Sequence, residues 1–350
     1  GATNFTHIDS SEAASDAIRI TRAVADSQFE LSKGNNLLNA AGQTLTAVKI
    51  TSKEGGTGST AILAGSIVGR NLLDGLSEIN LADNGDNSIE VTKAVKNAKI
   101  NTGAGAGTFK AGSVESLTLA MGGAGSNKDQ TVQINGAVNK LNYAGSGGND
   151  SLQTLGGVKN SSIDLGAGDN SFTAQNSTGT GQTVSNTNIT ASGAGATSLD
   201  VGKYLYSASG NSIELGGGAN NVKIGAVSGK GTAGLRLDLS ASGLEQNVTF
   251  GSSVNYLTYA GSAGDDILTL LGALSNSSLE LDEGSNSLTA QNAKGALQTV
   301  SNTNITALGQ GTNAITAGAY KTGTAGNTIA LGEGANTVNL TSIAGKGDKG

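Results

Sequence analysis

The stretch Leu165-Gly166-Ala167-Gly168-Asp169-Asn170-Ser171-Phe172 reads as two apolar half-strands joined by a tight Gly-x-Gly-x-Asn turn. The phrase returns as Leu215-Gly216-Gly217-Gly218-Ala219-Asn220-Asn221-Val222, as Leu281-Asp282-Glu283-Gly284-Ser285-Asn286-Ser287-Leu288, and as Leu331-Gly332-Glu333-Gly334-Ala335-Asn336-Thr337-Val338. A looser copy runs from Leu81 to Ile89. Glycine permits the positive φ that a reversing chain needs, and asparagine tolerates that region while bonding nearby backbone. A phrase that recurs in this way belongs to a chain built from stacked coils.

A larger repeat surrounds the phrase. Val138-Asn139 matches Val254-Asn255, an offset of 254 − 138 = 116 residues. At that offset Tyr143-Ala144-Gly145-Ser146 falls on Tyr259-Ala260-Gly261-Ser262, and Gln182 to Ala191 is identical to Gln298 to Ala307. The register holds from Val138–Gly234 to Val254–Gly350. Outside the N-terminal segment the apolar period is two, in short pieces bounded by Gly, Asn, Ser or Asp, as in Ser88-Ile89-Glu90-Val91. Alternation of this kind marks half-buried strands. With two strands per coil, one repeat holds five coils of about 23 residues. The fold class expected is an all-β, elongated parallel β-solenoid (β-helix or β-roll). Its inward residues include Ile163, Leu165, Phe172, Ala174, Ile213, Leu215, Val222, Leu279, Leu281, Leu288 and Ala290.

The N-terminal segment reads differently. Asp9-Ser10-Ser11-Glu12 has the form of a capping box, and Ala13, Ala14, Ala17, Ile18, Thr21, Val24 and Ala25 follow at helical spacing. That spacing predicts a helix over 10–25. Residues 1–30 are then a short N-terminal helical cap over the first coil, as repeat proteins require, and residues 31–350 are the solenoid. At the other end Gly350 aligns with Gly234, after which the earlier repeat runs straight into Leu235-Arg236-Leu237-Asp238-Leu239. The loop ending Lys346-Gly347-Asp348-Lys349 leaves an open coil edge, which is expected to continue into further chain or to dock on a second copy.

Composition supports a sheet-built chain. There are 55 Gly, no Pro and no Cys, and aromatics make up only 3%. Proline donates no ladder hydrogen bond and is confined to sheet edges, so its absence suits strands that stack on both sides. The absence of cysteine removes disulfides and thiolate metal sites. A net charge of −6 without a Lys/Arg cluster argues against nucleic acid as a partner. No apolar run of about 18 residues is present to span a membrane.

Chemistry-bearing motifs are few. Gly145-Ser146-Gly147-Gly148-Asn149-Asp150-Ser151-Leu152 and its copy Gly261-Ser262-Ala263-Gly264-Asp265-Asp266-Ile267-Leu268 come close to the nonapeptide G-G-x-G-x-D-x-U-x. Here the chain resembles the RTX repeats of secreted bacterial proteins, whose β-roll binds calcium between turns. That resemblance implies calcium as a cofactor, with Asp150, Asp265 and Asp266 as candidate metal ligands. In other turns the ligand position holds Asn87, Asn170, Asn220, Asn286, Asn313, Asn336 or Thr197. The alternative for this position is a ladder of stacked amides. The Ala/Gly/Thr/Asn-rich, cysteine-free repeat style also resembles the surface-layer and adhesin proteins of Gram-negative bacteria. This second resemblance implies export, an extracellular or cell-surface location, and assembly with copies of itself into a layer, filament or stalk.

Enzymatic readings find little support. His7 is the single histidine and would have to serve any Ser-His-Asp triad. Adjacent carboxylates at Asp265-Asp266 and Asp282-Glu283 point to opposite faces of a strand. No enzyme activity and no required cofactor are therefore expected. A sugar groove would want aromatic platforms, yet Trp is absent and six Tyr are scattered; a glycan or host-surface ligand stays open as a partner. An ice-binding face would need Thr-x-Thr in every coil, and Thr187-Asn188-Ile189-Thr190 does not recur so often.

Overall fold

The computed structural model of the chain describes residues 3–4, 8–9, 14–71, 75–81, 84–123, 125–324 and 326–345. His7, Ser10 to Glu12 of the expected capping box, and the loop Lys346 to Gly350 lie outside these residues. The chain divides into two compact units, Gly1–Ser171 and Phe172–Gly350. Each is a parallel β-solenoid, in which the register pairs every strand in parallel with its counterpart one coil away.

One coil of the first unit shows the plan. Asp150–Thr154, Val158–Lys159 and Ser162–Asp164 are three short strands. The first pairs with Gln130–Ile134 of the preceding coil, and the other two pair with Val138–Ala144. The coil therefore has three faces where alternation alone suggested two strands. The second of the three was hidden because Val158–Lys159 is two residues long, too short to show a period.

Coil length varies with the loops between faces. In the first unit the register pairs Asn36 with Thr60, Asn87 with Gly107, Gly107 with Gln130 and Gln130 with Asp150, steps of 24, 20, 23 and 20 residues. In the second unit Asn221 pairs with Asn247, Gln246 with Asp266, Ile267 with Ser287, Ser287 with Ala314 and Ala314 with Thr337. These steps of 26, 20, 20, 27 and 23 residues account for the 116-residue repeat as five coils, as expected.

The expected N-terminal helix is absent, and no helix occurs among the described residues. Ala17–Arg19 is instead a strand paired with Leu37–Asn39, and Val24–Ala25 pairs with Leu45–Thr46. Ile20 and Val24 enter the core at 8% and 1% exposure. Two effects override the helical spacing. Ile18, Ile20, Thr21 and Val24 are β-branched, which lowers helix propensity and favours strands. The neighbouring coil offers a complete row of backbone partners, whereas a single short helix is marginal in water.

The interior repeats the same layers. Phe29, Ile50, Ile79 and Ile100 stack through the first unit, and Ile213, Leu237, Tyr259, Leu279 and Ile305 through the second. All eleven residues expected to face inward are at most 3% exposed. Between the second and third faces the chain turns at a residue with left-handed φ. Lys140 and Asn160 do this in the first unit, and Asn186, Tyr256, Asn276 and Asn302 in the second, with φ between 46° and 57°. Asn dominates because its short polar side chain tolerates this region. The amides also bond from coil to coil, as Asn160 Nδ2 does to Asn139 Oδ1 at 2.9 Å and Asn276 Nδ2 to Asn255 Oδ1 at 2.8 Å.

Candidate functional site

Within each unit the residues singled out in the Gly-rich turns line one corner of the coil, the one that opens the first face, on its inner side except for Asp265. In most coils a polar side chain at this corner, buried except for Asn336, bonds the backbone of the coil before it. In the first unit Asp16 N–H donates to Asn36 Oδ1 (3.1 Å), Thr60 N–H to Asn87 Oδ1 (2.7 Å), Gly107 N–H to Gln130 Oε1 (2.8 Å), Gln130 N–H to Asp150 Oδ1 (3.0 Å) and Asp150 N–H to Asn170 Oδ1 (2.9 Å). In the second unit the acceptors are Asn220 for Thr197, Gln246 for Asn220, Asn286 for Asp266, Asn313 for Asn286 and Asn336 for Asn313. This is the amide ladder weighed against calcium above. It supplies partners for N–H groups that a buried corner would otherwise leave unsatisfied.

A second ladder runs outside the same corner in the opposite sense. Here the side chain of one coil accepts from the backbone of the next. Asp129 Oδ1 accepts from Asn149 N–H at 2.9 Å, Asn149 Oδ1 from Asp169 N–H at 2.8 Å, and Asp265 Oδ1 from Ser285 N–H at 2.7 Å. Asp265 is exposed while Asp266 is fully buried, the opposite-face relation expected of neighbours on a strand.

Asp150 and Asp266 are the two acids on the inner side of this corner; Asp150 accepts from Gln130 N–H, whereas Gln246 N–H goes to Asp265 O, so Asp266 joins the ladder only through its own N–H to Asn286. An Asn rung uses its Nδ2 on turn carbonyls: Asn170 donates to Gly166 O and Ala167 O, and Asn286 to Glu283 O. An Asp rung has nothing to donate when ionised, and its turn is built differently. Ser146 N–H donates to Asp150 Oδ2 at 2.5 Å and Ser146 Oγ–H to Asp150 Oδ1 at 3.0 Å. Ser262 N–H and Oγ–H do the same for Asp266 at 3.0 and 2.9 Å. The backbone does not follow the rung type: Gly166 and Gly168 before Asn170, and Asp282 and Gly284 before Asn286, have positive φ, whereas no residue of the Gly145–Asn149 and Gly261–Asp265 turns does, nor any of the Gly216–Ala219 turn before Asn220. A Cβ on Gly145 or Gly261 would stand 2.3 or 1.9 Å from the carboxyl oxygen, so only glycine lets the acid approach.

Burial pushes both carboxyls up to about 6, against the opposing pull of the Ser146 donors and the Gln130 N–H at Asp150, and of the Ser262 donors and the Tyr259 hydroxyl at Asp266. Burial likewise raises the hydroxyls of Tyr143 and Tyr259, which Asp150 and Asp266 raise further. The Tyr143 hydroxyl has no hydrogen-bond partner among the described residues, whereas the Tyr259 hydroxyl faces Asp266.

These surroundings fit calcium poorly. Calcium takes six to eight oxygens, several of them charged, and each acid is surrounded by N–H and O–H donors that present positive charge to an incoming cation. Among the described residues no three His, Cys, Asp or Glu side chains gather into a metal-binding group. Within the second unit Asp265 and Asp266 lie on different sides of the corner, one exposed and one buried.

Two features escaped the sequence reading. Outward on the first face of the second unit, Thr249, Thr269, Thr289 and Thr316 pair in consecutive coils. Cross-strand threonine pairs of this kind contribute about 0.2–1 kcal/mol each. The signal lay in the unequal steps of 20, 20 and 27 residues, visible only once the register is known. The other is the left-handed corner, whose recurring pattern is apolar-x-Asn-Ser/Thr-x-apolar, as in Val184-Ser185-Asn186-Thr187-Asn188-Ile189 and Leu274-Ser275-Asn276-Ser277-Ser278-Leu279.

No family model, no curated protein and no solved structure matches this chain. No helix among the described residues is long and apolar enough to cross a membrane.

Proposed function

We propose that this chain is a structural protein, exported to the bacterial cell surface or beyond, that assembles with copies of itself. The observation that carries the reading is where the polar side chains go. The turn residues with the strongest chemical character are committed to holding one coil on the next, through the inner and outer ladders. A scaffold spends polar groups in this way; a catalyst leaves them free toward a cleft.

The assembly part rests on the resemblance of the Ala/Gly/Thr/Asn-rich, cysteine-free repeat style to surface-layer and adhesin proteins. Sedimentation and negative-stain imaging over rising protein concentration test this. Filaments or ordered arrays are expected. A protein that stays monomeric at every concentration refutes the assembly.

The competing reading is a calcium-binding module of RTX type. It is separated by thermal unfolding with excess calcium and with EDTA. Because the donor shells of Asp150 and Asp266 are already hydrogen-bonding groups, the midpoint is expected to be the same in both. A calcium-dependent rise that Asp266→Asn abolishes would replace the structural reading of that turn.

A further inference from the structure

We propose that copies of this chain associate side by side, the acidic edge of the second unit of one copy lying on the basic edge of the first unit of the next. The proposal rests on the self-assembly reading above and names the two surfaces that carry it.

In the second unit the third face, with the turns that lead from it to the first face, runs through 188–196, 211–220, 235–246, 257–266, 278–286, 304–313 and 328–336 in successive coils. These segments hold nine Asp or Glu and one basic residue, Arg236, which is bonded to Asp238. Glu214 lies opposite Asp238 on the neighbouring coil, and Ala260 and Glu280 continue the same outward row. Like charges directly opposite each other cost stability, so folding alone gives no reason for this row. Two grooves open beside it and share Leu308, which is 61% exposed. Glu280 and Asp282 line one, of about 320 Å³, and Glu283 and Glu333 line the other, of about 660 Å³. A lysine stem packs along an apolar side chain of this kind while its ammonium reaches the flanking carboxylates.

The first unit carries the opposite charge on a different edge. Its second face and flanking corners run through 92–99, 113–118, 137–142 and 157–162 in four successive coils. They hold five Lys and one acid, Glu115, which is taken by Lys96 at 3.0 Å. Lys93, Lys99, Lys140 and Lys159 are exposed.

The two edges match in pitch as well as in sign. Both are built from parallel strands about 4.8 Å apart, so charges on one edge keep step with charges on the other over several coils. Opposite potentials steer the encounter, and like-charged pairings are rejected. A copy that offers its acidic edge to one neighbour and its basic edge to another makes a heterologous contact, which extends into an array.

Charge reversal tests the proposal by sedimentation and negative-stain imaging. One variant carries Glu214→Lys, Glu280→Lys, Glu283→Lys and Glu333→Lys. The other carries Lys93→Glu, Lys96→Glu, Lys140→Glu and Lys159→Glu. All of these positions are exposed, so both variants are expected to keep the wild-type circular dichroism. Each alone is expected to need about tenfold more protein to assemble. An equimolar mixture is expected to assemble at the wild-type concentration, because one variant then supplies only basic edges and the other only acidic ones. If a variant fails to fold, the wild type still decides: its assembly is expected to weaken steeply as sodium chloride rises from about 50 to about 500 mM. Assembly of either variant alone at the wild-type concentration, a mixture of folded variants that does not restore it, or an array insensitive to salt would overturn the two edges and leave self-assembly standing. A wild type that stays monomeric at low salt and every concentration would overturn both.

Discussion

Leu281→Ala is expected to destabilise the protein by about 2–5 kcal/mol, read as a lower denaturant midpoint with an unchanged slope. Leu281 is fully buried just before the turn that carries Asn286. Its N–H is fixed to Thr306 O at 2.8 Å, so the backbone there cannot move freely to fill the space. Part of the cost is the lost transfer of the side chain from water, and part is the cavity that a close-packed interior leaves open. The stacked architecture adds a further expectation. Leu281 lies in a layer shared with the coils on either side, so amide exchange should accelerate at Asp266–Leu270 and Ala314–Lys321 before it does at the far end of the second unit. A substitution within error of wild type would mean that the inward register of this turn is wrong.

The second large effect is expected for Asn220→Leu, a change of similar volume that removes a rung of the inner ladder. Asn220 is 1% exposed and bonds in three directions. Oδ1 accepts Thr197 N–H at 2.9 Å, while Nδ2 donates to Gly216 O at 3.1 Å and to Gln246 Oε1 at 2.9 Å. Gly218 O keeps a donor in Gln246 Nε2 after the substitution. Thr197 N–H and Gly216 O do not, and each buried group left unsatisfied costs about 1–3 kcal/mol. A loss of about 2–6 kcal/mol is expected from the pair, with Asn220→Asp falling below wild type most strongly at neutral and alkaline pH, where the new carboxyl must ionise among carbonyls. If Asn220→Leu unfolds at the wild-type midpoint, the ladder contributes no net stability.

The two substitutions probe different kinds of information. That Leu281 faces inward could be read from alternation and from its place before a Gly-containing turn, because a strand's side-chain period is local and exact to one residue. The same holds for Ile163, Phe172, Ile213 and Leu288, all fully buried. The Asn position of the turn was equally legible, since a residue repeated at one place in every coil must meet its own copies when the coils stack.

Other features depended on what lies one coil away in space and 20 to 27 residues away in sequence. The segment 14–25 carries a helical spacing of apolar residues, and became strand because Leu37–Asn39 and Leu45–Thr46 supply its hydrogen bonds. The second face includes strands of only two residues, which no periodicity can reveal. Asp266 and Asp265 are adjacent in the chain and similar in type. Only the packing of the coils buries one beside Ser262 and Tyr259 and leaves the other outside, accepting from Ser285. Local pattern thus determined which residues turn inward and where the chain bends. The tertiary stack decided which conformation the ambiguous N-terminal segment takes and what each buried polar group does, because those outcomes are set by the hydrogen-bonding partners that only the neighbouring coils provide.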